Sequence, residues 1–161
     1  MGVTGMNHAV MYVRDAARTG RFYREVLEFV PVIEDEQNRY LFMRAPDSPN
    51  HHDIAFFTIG AGAEASTAGR QTVGLYHIAW EVPSLEELAQ VRGRLVAADA
   101  LVGASDHGVN KSLYAVDPDG LEFEVMWLVP PRLWGDEEHE AIIRPLDIDA
   151  EQRRFAGLLA E

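Results

Sequence analysis

The chain has 161 residues, a length typical of one domain or of two small half-domains that share a core. Its formal net charge of −12 repels phosphate backbones and anionic lipids, so we expect neither nucleic acid nor a membrane surface as a partner. The absence of cysteine excludes disulfides, thiolate metal sites and cysteine nucleophiles. No apolar run is long enough to span a bilayer and no signal-peptide pattern opens the chain, which together predict a cytoplasmic protein.

Two segments that resemble each other open two similar halves of the chain. Residues 7–13 (Asn-His-Ala-Val-Met-Tyr-Val) and residues 76–82 (Tyr-His-Ile-Ala-Trp-Glu-Val) each predict a strand with a histidine near its start. In both halves a helical pattern and three further strand-like runs follow, and a Gly- and Ala-rich stretch joins the halves. The pattern predicts an α+β fold of two tandem βαβββ modules, at 4–60 and 73–129, within a single domain spanning 1–161.

The helix of each module is predicted from apolar residues spaced three and four apart. In the first module the spaced residues are Phe22, Tyr23, Val26, Leu27 and Phe29. In the second module, the spaced residues are Leu85, Leu88, Val91 and Leu95, and Ser84 with Glu87 forms a capping box at the start of the helix. The remaining strands are expected at 30–33, 40–44, 53–59, 101–103, 112–116 and 121–129.

A C-terminal extension, 130–161, follows the second module. Two prolines end the last predicted strand, and Asp149 is the expected N-cap of a final helix. The apolar face of that helix would carry Phe155, Leu158 and Leu159. This face must be buried on its own domain or on a second subunit, and the sequence leaves both possibilities open.

Three side chains are candidate metal ligands because strand alternation places them on equivalent faces. If the two modules pack edge to edge into a cupped mixed sheet, His8, His77 and Glu124 point to one surface. Two imidazoles and one carboxylate, with open positions left on the ion, form the ligand set of non-haem Fe(II) oxygenases. His51 and Glu122 lie close to these motifs and remain alternatives. Trp80 and Trp127 fall on the opposite strand faces and are predicted to pack against the helices.

These features together resemble the vicinal oxygen chelate superfamily, which includes glyoxalases, fosfomycin and bleomycin resistance proteins and extradiol ring-cleaving dioxygenases. The resemblance rests on the repeat, on the two His-bearing strands and on residues 21–29 (Arg-Phe-Tyr-Arg-Glu-Val-Leu-Glu-Phe). It covers residues 4–128 and leaves the extension outside. The family usually has Gly where this chain has Glu28, which predicts a different turn at the end of the first helix.

Within the superfamily, two local motifs are similar to those of extradiol dioxygenases. Residues 107–124 contain a His, a Tyr, an Asp-Pro-Asp-Gly turn and a Glu in the order of the extradiol signature. Residues 51–57 (His-His-Asp-Ile-Ala-Phe-Phe) resemble the strand in which these enzymes hold a histidine beside bound O₂. The resemblance implies Fe(II) on His8, His77 and Glu124, a small aromatic diol and O₂ as substrates, and catalytic roles for His52, His107 and Tyr114. It also implies a homodimer or a higher homo-oligomer.

Several alternatives stay open at this point. Fosfomycin-type thiol transferases use the same ligands with Mn(II), but Lys111 is the only lysine and no basic cluster suits a phosphonate. A glyoxalase needs a fourth ligand, and aligning residues 53–59 with the last strand places Ile54, which cannot bind a metal, opposite Glu124. A metal-free binding or resistance protein would not need His8, His77 and Glu124.

Overall fold

The computed structural model describes residues 2–69 and 71–158. The chain divides into two compact units: unit 1 comprises Met1–Ser66 and Asp117–Gly120, and unit 2 comprises Thr67–Val116 and Leu121–Glu161. Each unit contains the strands and helix of one βαβββ module, which confirms the predicted α+β class. No helix in the described part of the chain has both the length and the apolar character needed to cross a membrane.

Unit 1 is a four-stranded sheet with one helix against it. Its elements in chain order are β1 (Ala9–Val13), α1 (Ala16–Leu27), β2 (Val30–Glu34), β3 (Tyr40–Arg44) and β4 (Ile54–Thr58). The strand order is β1-β4-β3-β2, with β1 parallel to β4 and the other pairs antiparallel. The apolar core between the helix and the sheet includes Val13, Tyr23, Val26, Met43, Ile54 and Phe56. Of the residues that predict α1, Tyr23 and Val26 are fully buried, whereas Phe22 and Leu27 are only partly buried.

Unit 2 repeats this plan and adds a fifth strand from the extension. Its module consists of β5 (Ile78–Glu81), α2 (Leu85–Ala97), β6 (Leu101–Asp106), β7 (Asn110–Val116) and β8 (Glu122–Leu128). Two 3₁₀ turns (Pro131–Leu133 and Gly135–His139), β9 (Arg144–Pro145) and α3 (Ile148–Phe155) follow. The strand order is β5-β8-β7-β6-β9. Ser84 caps α2 as predicted, and the buried side of α2 is formed by Leu85, Leu88, Val91 and Leu95.

The extension departs from the sequence prediction at its helix. Asp147, not Asp149, is the N-cap of α3, and its side chain accepts a hydrogen bond from the Ala150 amide at 2.9 Å. The earlier start places Ile148 on the buried face together with Phe155, while Leu158 is exposed and Leu159 lies outside the described residues. The Phe155 ring packs on Trp127, with 5.1 Å between ring centroids. The apolar face of α3 is therefore buried on its own unit.

The end of α1 also differs from the prediction. Glu28 adopts the left-handed conformation (φ 61°, ψ 18°) that glycine usually provides, and its amide donates to the Arg24 carbonyl at 3.1 Å. The next amide, of Phe29, reaches the Tyr23 carbonyl at 3.4 Å, and the Phe29 side chain is buried. The expectation of a different turn is wrong, because these bonds and this burial outweigh the strain of a non-glycine residue.

We expect Glu28→Gly to raise the free energy of unfolding by about 1 kcal/mol, because glycine adopts the left-handed conformation without steric cost. Urea denaturation of both proteins measures the difference. Glu25→Gly is the matched control: Glu25 is exposed within α1, where glycine lowers helix stability by about 1 kcal/mol. A loss of stability in Glu28→Gly similar to that of the control would contradict the proposed strain.

A buried carboxylate in unit 1 holds the start of α1. Asp119 accepts hydrogen bonds from Arg14 and Arg18, each at 2.9 Å, and from the Thr19 hydroxyl at 3.1 Å. Burial alone would favour the neutral acid, but the hydrogen bonds from Arg14 and Thr19 outweigh it, so the pKa of Asp119 is lowered.

Because the pKa of Asp119 is lower in the folded chain than in the unfolded chain, its contribution to stability is complete above the unfolded pKa and is lost on acidification. We expect Asp119→Asn to lower the free energy of unfolding by about 1–2 kcal/mol at pH 7, a value reduced for the solvent around the arginines. The difference from the natural protein should shrink below about pH 4. Urea denaturation at pH 7 and pH 3 tests this, with the exposed Asp136→Asn as control.

Candidate functional site

Two of the predicted metal ligands meet in unit 2. Strands β5 and β8 are parallel neighbours, and Ala79 pairs with Glu124, so His77, two residues before Ala79, lies on the same sheet face as Glu124. His77 Nε2 is 3.0 Å from Glu124 Oε2. The two side chains are 25% and 10% exposed, so solvent reaches the pair from one side.

The pair fits the requirements of a metal centre. Two bonds of about 2.1 Å at right angles would place their ligand atoms about 3 Å apart, which is the separation observed. The other ring nitrogen, His77 Nδ1, is buried and has no hydrogen-bond partner among the described residues, so Nε2 is the atom through which this imidazole meets another polar group. A single shared proton also suits this distance. The contact thus identifies a candidate ligand pair without identifying the ion.

A tyrosine and a second histidine lie beside the pair of His77 and Glu124. Tyr114 on β7 is directly opposite Glu124 on β8, and its ring centroid is 5.9 Å from that of His77. The Tyr114 hydroxyl is 2.8 Å from His107 Nε2, and His107 Nδ1 is 2.7 Å from the carbonyl oxygen of Ile142. Burial, and next the charge of Glu124, raise the pKa of Tyr114. Four of the six predicted site residues therefore lie together in unit 2.

The other two predicted site residues, His8 and His52, lie together in unit 1. Their ring centroids are 4.4 Å apart, and the His52 ring also packs edge-on against Phe42 at 5.0 Å. His8 Nδ1 is 2.8 Å from the side-chain oxygen of Asn7. The alternative residue His51 contacts His52 through their Nδ1 atoms, 3.0 Å apart. Burial, and next the neighbouring His8 and His51, lower the pKa of His52.

Asp53 is a structural support for this histidine pair that the sequence analysis did not identify. Its buried carboxylate accepts hydrogen bonds from the Ala45 amide, the Ser48 hydroxyl and the Asn50 side chain at 2.7–2.8 Å. Asn50 also donates to the Asn7 carbonyl at 3.0 Å, which connects the loop before β4 to the chain just before His8. The turn-forming residues 46–50 (Pro-Asp-Ser-Pro-Asn), directly ahead of the His-His-Asp sequence, were the available signal for such a network.

The strand register corrects one sequence-based alignment. Ala9 pairs with Ile54 in unit 1, whereas Ile78 pairs with Phe123 in unit 2. Because His8 precedes Ala9 as His77 precedes Ile78, the counterpart of Glu124 is Ala55, and the alignment with Ile54 is wrong by one residue. Ile54 is buried on the face that packs against α1. Ala55 has no ligand atom either, so this strand position supplies no fourth ligand.

The complete ligand set is not gathered in the structure. Within residues 2–69 and 71–158, no group of three or more His, Asp or Glu side chains is arranged to hold a metal ion. Unit 2 supplies the pair of His77 and Glu124, and unit 1 supplies His8 beside His52. Binding of all three residues to one ion remains a prediction.

The sequence of this chain is similar to a known protein family and to a curated protein. Residues 5–125 match the family model of the Glyoxalase/Bleomycin resistance protein/Dioxygenase superfamily. A curated catechol-2,3-dioxygenase of Bacillus subtilis (strain 168) is 34% identical over 159 residues, which are 98% of this chain and 52% of that protein. The chain thus spans about half the length of the curated relative that it matches.

Solved structures agree on the fold. A glyoxylase/bleomycin resistance protein/dioxygenase domain from Frankia sp. EAN1pec superposes with a TM-score of 0.67 at 20% identity, covering 86% of this chain and 100% of that one. The fosfomycin resistance protein FosX of Listeria monocytogenes, in complex with Mn(II) and sulfate, gives a TM-score of 0.59 at 18% identity, covering 80% and 93%. At these identities the likeness concerns the fold alone.

Proposed function

We propose that this chain, which belongs to the glyoxalase/bleomycin resistance protein/dioxygenase superfamily, is an Fe(II)-dependent extradiol dioxygenase that opens the ring of a small aromatic diol with O₂. The observation that carries the proposal is the group of His77, Glu124, Tyr114 and His107 on unit 2. The 34% identity to a catechol-2,3-dioxygenase supports the choice of reaction. Two further predictions belong to the same proposal. They are the cytoplasmic location predicted from the sequence and the homo-oligomer implied by the family resemblance.

His8, His77 and Glu124 would hold the metal ion. Two neutral imidazoles and one carboxylate leave positions of an octahedral ion open, and this donor set suits Fe(II) and also Mn(II). When bound, the ion supplies the redox chemistry that joins O₂ to the diol. No fourth protein ligand comes from Ala55, the counterpart of Glu124, so both substrates could bind next to each other at the site.

Tyr114 and His107 would hold the proton of a substrate hydroxyl. Burial and the charge of Glu124 raise the pKa of Tyr114, so its phenol stays protonated at neutral pH and can share its hydrogen with His107 Nε2. A phenol whose hydrogen is directed to an imidazole can orient a diol through its oxygen, and the pair can take up the proton that the diol hydroxyl loses.

His52 would act on the oxygen side of the reaction. Its lowered pKa keeps the imidazole neutral at physiological pH, and a neutral imidazole can accept or donate a hydrogen bond. The packing of the ring against Phe42 fixes its orientation beside His8.

A Mn(II)-dependent fosfomycin-type transferase is the second candidate, because FosX with Mn(II) shares the fold. Such an enzyme needs cationic side chains for the phosphonate of its substrate. The only lysine of this chain, Lys111, is fully buried and pairs with Asp106 and Glu151, so it cannot serve that purpose. This burial removes Lys111 as a contact for the phosphonate, and the 34% identity to a catechol-2,3-dioxygenase favours the dioxygenase.

The decisive experiment is a screen of catechols with the purified, Fe(II)-reconstituted protein under air. We expect equimolar consumption of diol and O₂, followed with an oxygen electrode, and the yellow colour of ring-opened products. Mn(II)-dependent consumption of a thiol and fosfomycin without O₂ uptake would instead identify the transferase. Tight binding of an aromatic ligand without metal would indicate a binding protein.

Replacing a ligand should remove the metal and leave the fold, because each βαβββ sheet has its own apolar core. We expect His8→Ala, His77→Ala and Glu124→Ala to lose stoichiometric iron and at least 100-fold in activity. Bound iron is measured colorimetrically after gel filtration, and circular dichroism verifies the fold. His51→Ala and Glu122→Ala are the matched controls and should keep iron; the reverse result would reassign the ligands to these alternative residues.

His52→Phe should keep iron and diol affinity but lower kcat by about 10²-fold or more, the usual contribution of a general acid or base. The phenylalanine preserves the packing on Phe42, so a loss of rate would come from the missing ring nitrogens. Steady-state O₂ uptake gives kcat and KM separately. His51→Phe is the control, and an unchanged kcat in His52→Phe would remove His52 from the reaction.

A further inference from the structure

A fully buried lysine lies behind the site in unit 2. The Lys111 side chain is 0% exposed, and its ammonium group donates to the Asp106 carboxylate, to the Gly108 carbonyl at 3.1 Å and to Glu151 Oε2 at 3.1 Å. A buried charge is tolerated only when its hydrogen-bonding groups are satisfied. The three N–H groups of this ammonium have three oxygen partners. Loss of any partner would therefore disturb the group as a whole.

The partners of Lys111 come from two separate parts of unit 2. Asp106 is the last residue of β6, and Gly108 lies in the turn that follows it; residues 106–110, from the end of β6 to the start of β7, are here called the site loop. Glu151 belongs to α3 within residues 130–158, here called the C-terminal segment. The Asp106 carboxylate also accepts the Gly108 amide at 2.7 Å. Lys111 thus fastens the C-terminal segment to the site loop.

The site loop carries His107, and the C-terminal segment determines which nitrogen of that ring bears hydrogen. A carbonyl oxygen can only accept, so the 2.7 Å contact with Ile142 requires a hydrogen on His107 Nδ1. In the neutral ring, Nε2 then has a free lone pair and accepts the Tyr114 hydroxyl at 2.8 Å. With its hydrogen committed to His107, the Tyr114 oxygen is left to accept a hydrogen bond from a substrate hydroxyl.

The packing of the C-terminal segment on the site loop is close. Gly108 has φ +78°, and a Cβ atom there would stand 3.0 Å from Ile142 Cδ1 and 3.1 Å from Glu137 Cβ. Strand β9 continues the same contact, since Arg144 pairs with Asp106 in the antiparallel ladder with β6. The segment therefore has little freedom to shift without moving the His107 ring.

We propose that the C-terminal segment positions His107 in the active site. The Ile142 carbonyl selects the His107 tautomer. Lys111 is a positioning residue that holds the site loop on α3 through its ion pairs with Asp106 and Glu151. The family model ends at residue 125, so Ile142 and Glu151 lie outside the residues that it matches, whereas His107 and Lys111 lie within them. The effect expected on turnover rests on the proposed function, whereas the tautomer does not.

Nuclear magnetic resonance of the full-length, ¹⁵N-histidine-labelled protein without metal reads the tautomer directly. We expect His107, assigned with His107→Gln, to carry a hydrogen on Nδ1 and to accept a hydrogen bond at Nε2. Glu151→Gln keeps the shape but removes the charge that faces Lys111, so we expect a mixture of tautomers. In the iron-loaded enzyme kcat should fall about 10-fold with KM within about twofold, as when supports of active-site ligands are removed. Arg154→Ala, which removes the surface partner of Glu151, is the control and should change neither quantity.

A second pair of variants tests the contact from the other side. Gly108→Ala and Gly120→Ala place the same side chain at nearly the same backbone angle, φ +78° and +81°. Apart from the two chain neighbours, however, no heavy atom of the described residues lies within 4 Å of a Cβ at Gly120. We expect a tautomer mixture and a lowered kcat only in Gly108→Ala, because only this methyl group displaces Ile142.

The proposal is overturned if folded Glu151→Gln and Gly108→Ala both keep the Nδ1-protonated His107 and the natural kcat. It is also overturned if the natural protein carries the hydrogen on Nε2. Should the natural protein consume no O₂ with any catechol, the proposed function fails, while the tautomer spectra still decide whether the C-terminal segment governs His107.

Discussion

The contact between the His77 imidazole and the Glu124 carboxylate is the interaction on which the rest of the site depends. It exists because β5 and β8 are parallel neighbours whose alternation turns both side chains to one face, while the opposite face is used up by the apolar core. A carboxylate in this buried position needs a positively charged or metallic partner. The antiparallel register of β7 with β8 places Tyr114 opposite Glu124, so the two neighbours of β8 together set the ligand pair and the phenol beside it.

Much of this arrangement could be predicted from the sequence because it follows from periodicity. Alternation along the strands placed His77 and Glu124 on one face, and the Ser84 cap with its helical spacing located α2. The pairing of β5 with β8 and of β7 with β8 then brings together side chains that are far apart in the chain. The features predicted correctly are therefore those that follow from the two-residue period of a strand or the 3.6-residue period of a helix.

The errors arose where local patterns compete with longer-range packing. Two acidic residues could each cap α3, and the burial of Ile148 selects Asp147 over Asp149. Glu28 takes the conformation of a glycine because the burial of Phe29 beyond it outweighs the strain. The register of β4 was misplaced by one residue, since an uninterrupted apolar run contains no alternation to fix it. The burial and ion pairs of Lys111 were not predicted, because its carboxylate partners come from β6 and α3 and no local sequence pattern indicates such a group.

The burial of the single lysine has a practical consequence for the study of this protein in solution. Reagents that acylate amines find no exposed lysine side chain on the folded chain, because Lys111 is enclosed by the sheet, the site loop and α3. The rate at which Lys111 is acylated therefore reports how often α3 detaches from the sheet. The ratio of this labelling rate to that of an exposed lysine in the same buffer gives the equilibrium constant, and hence the free energy, of local opening in the region that holds His107 in place.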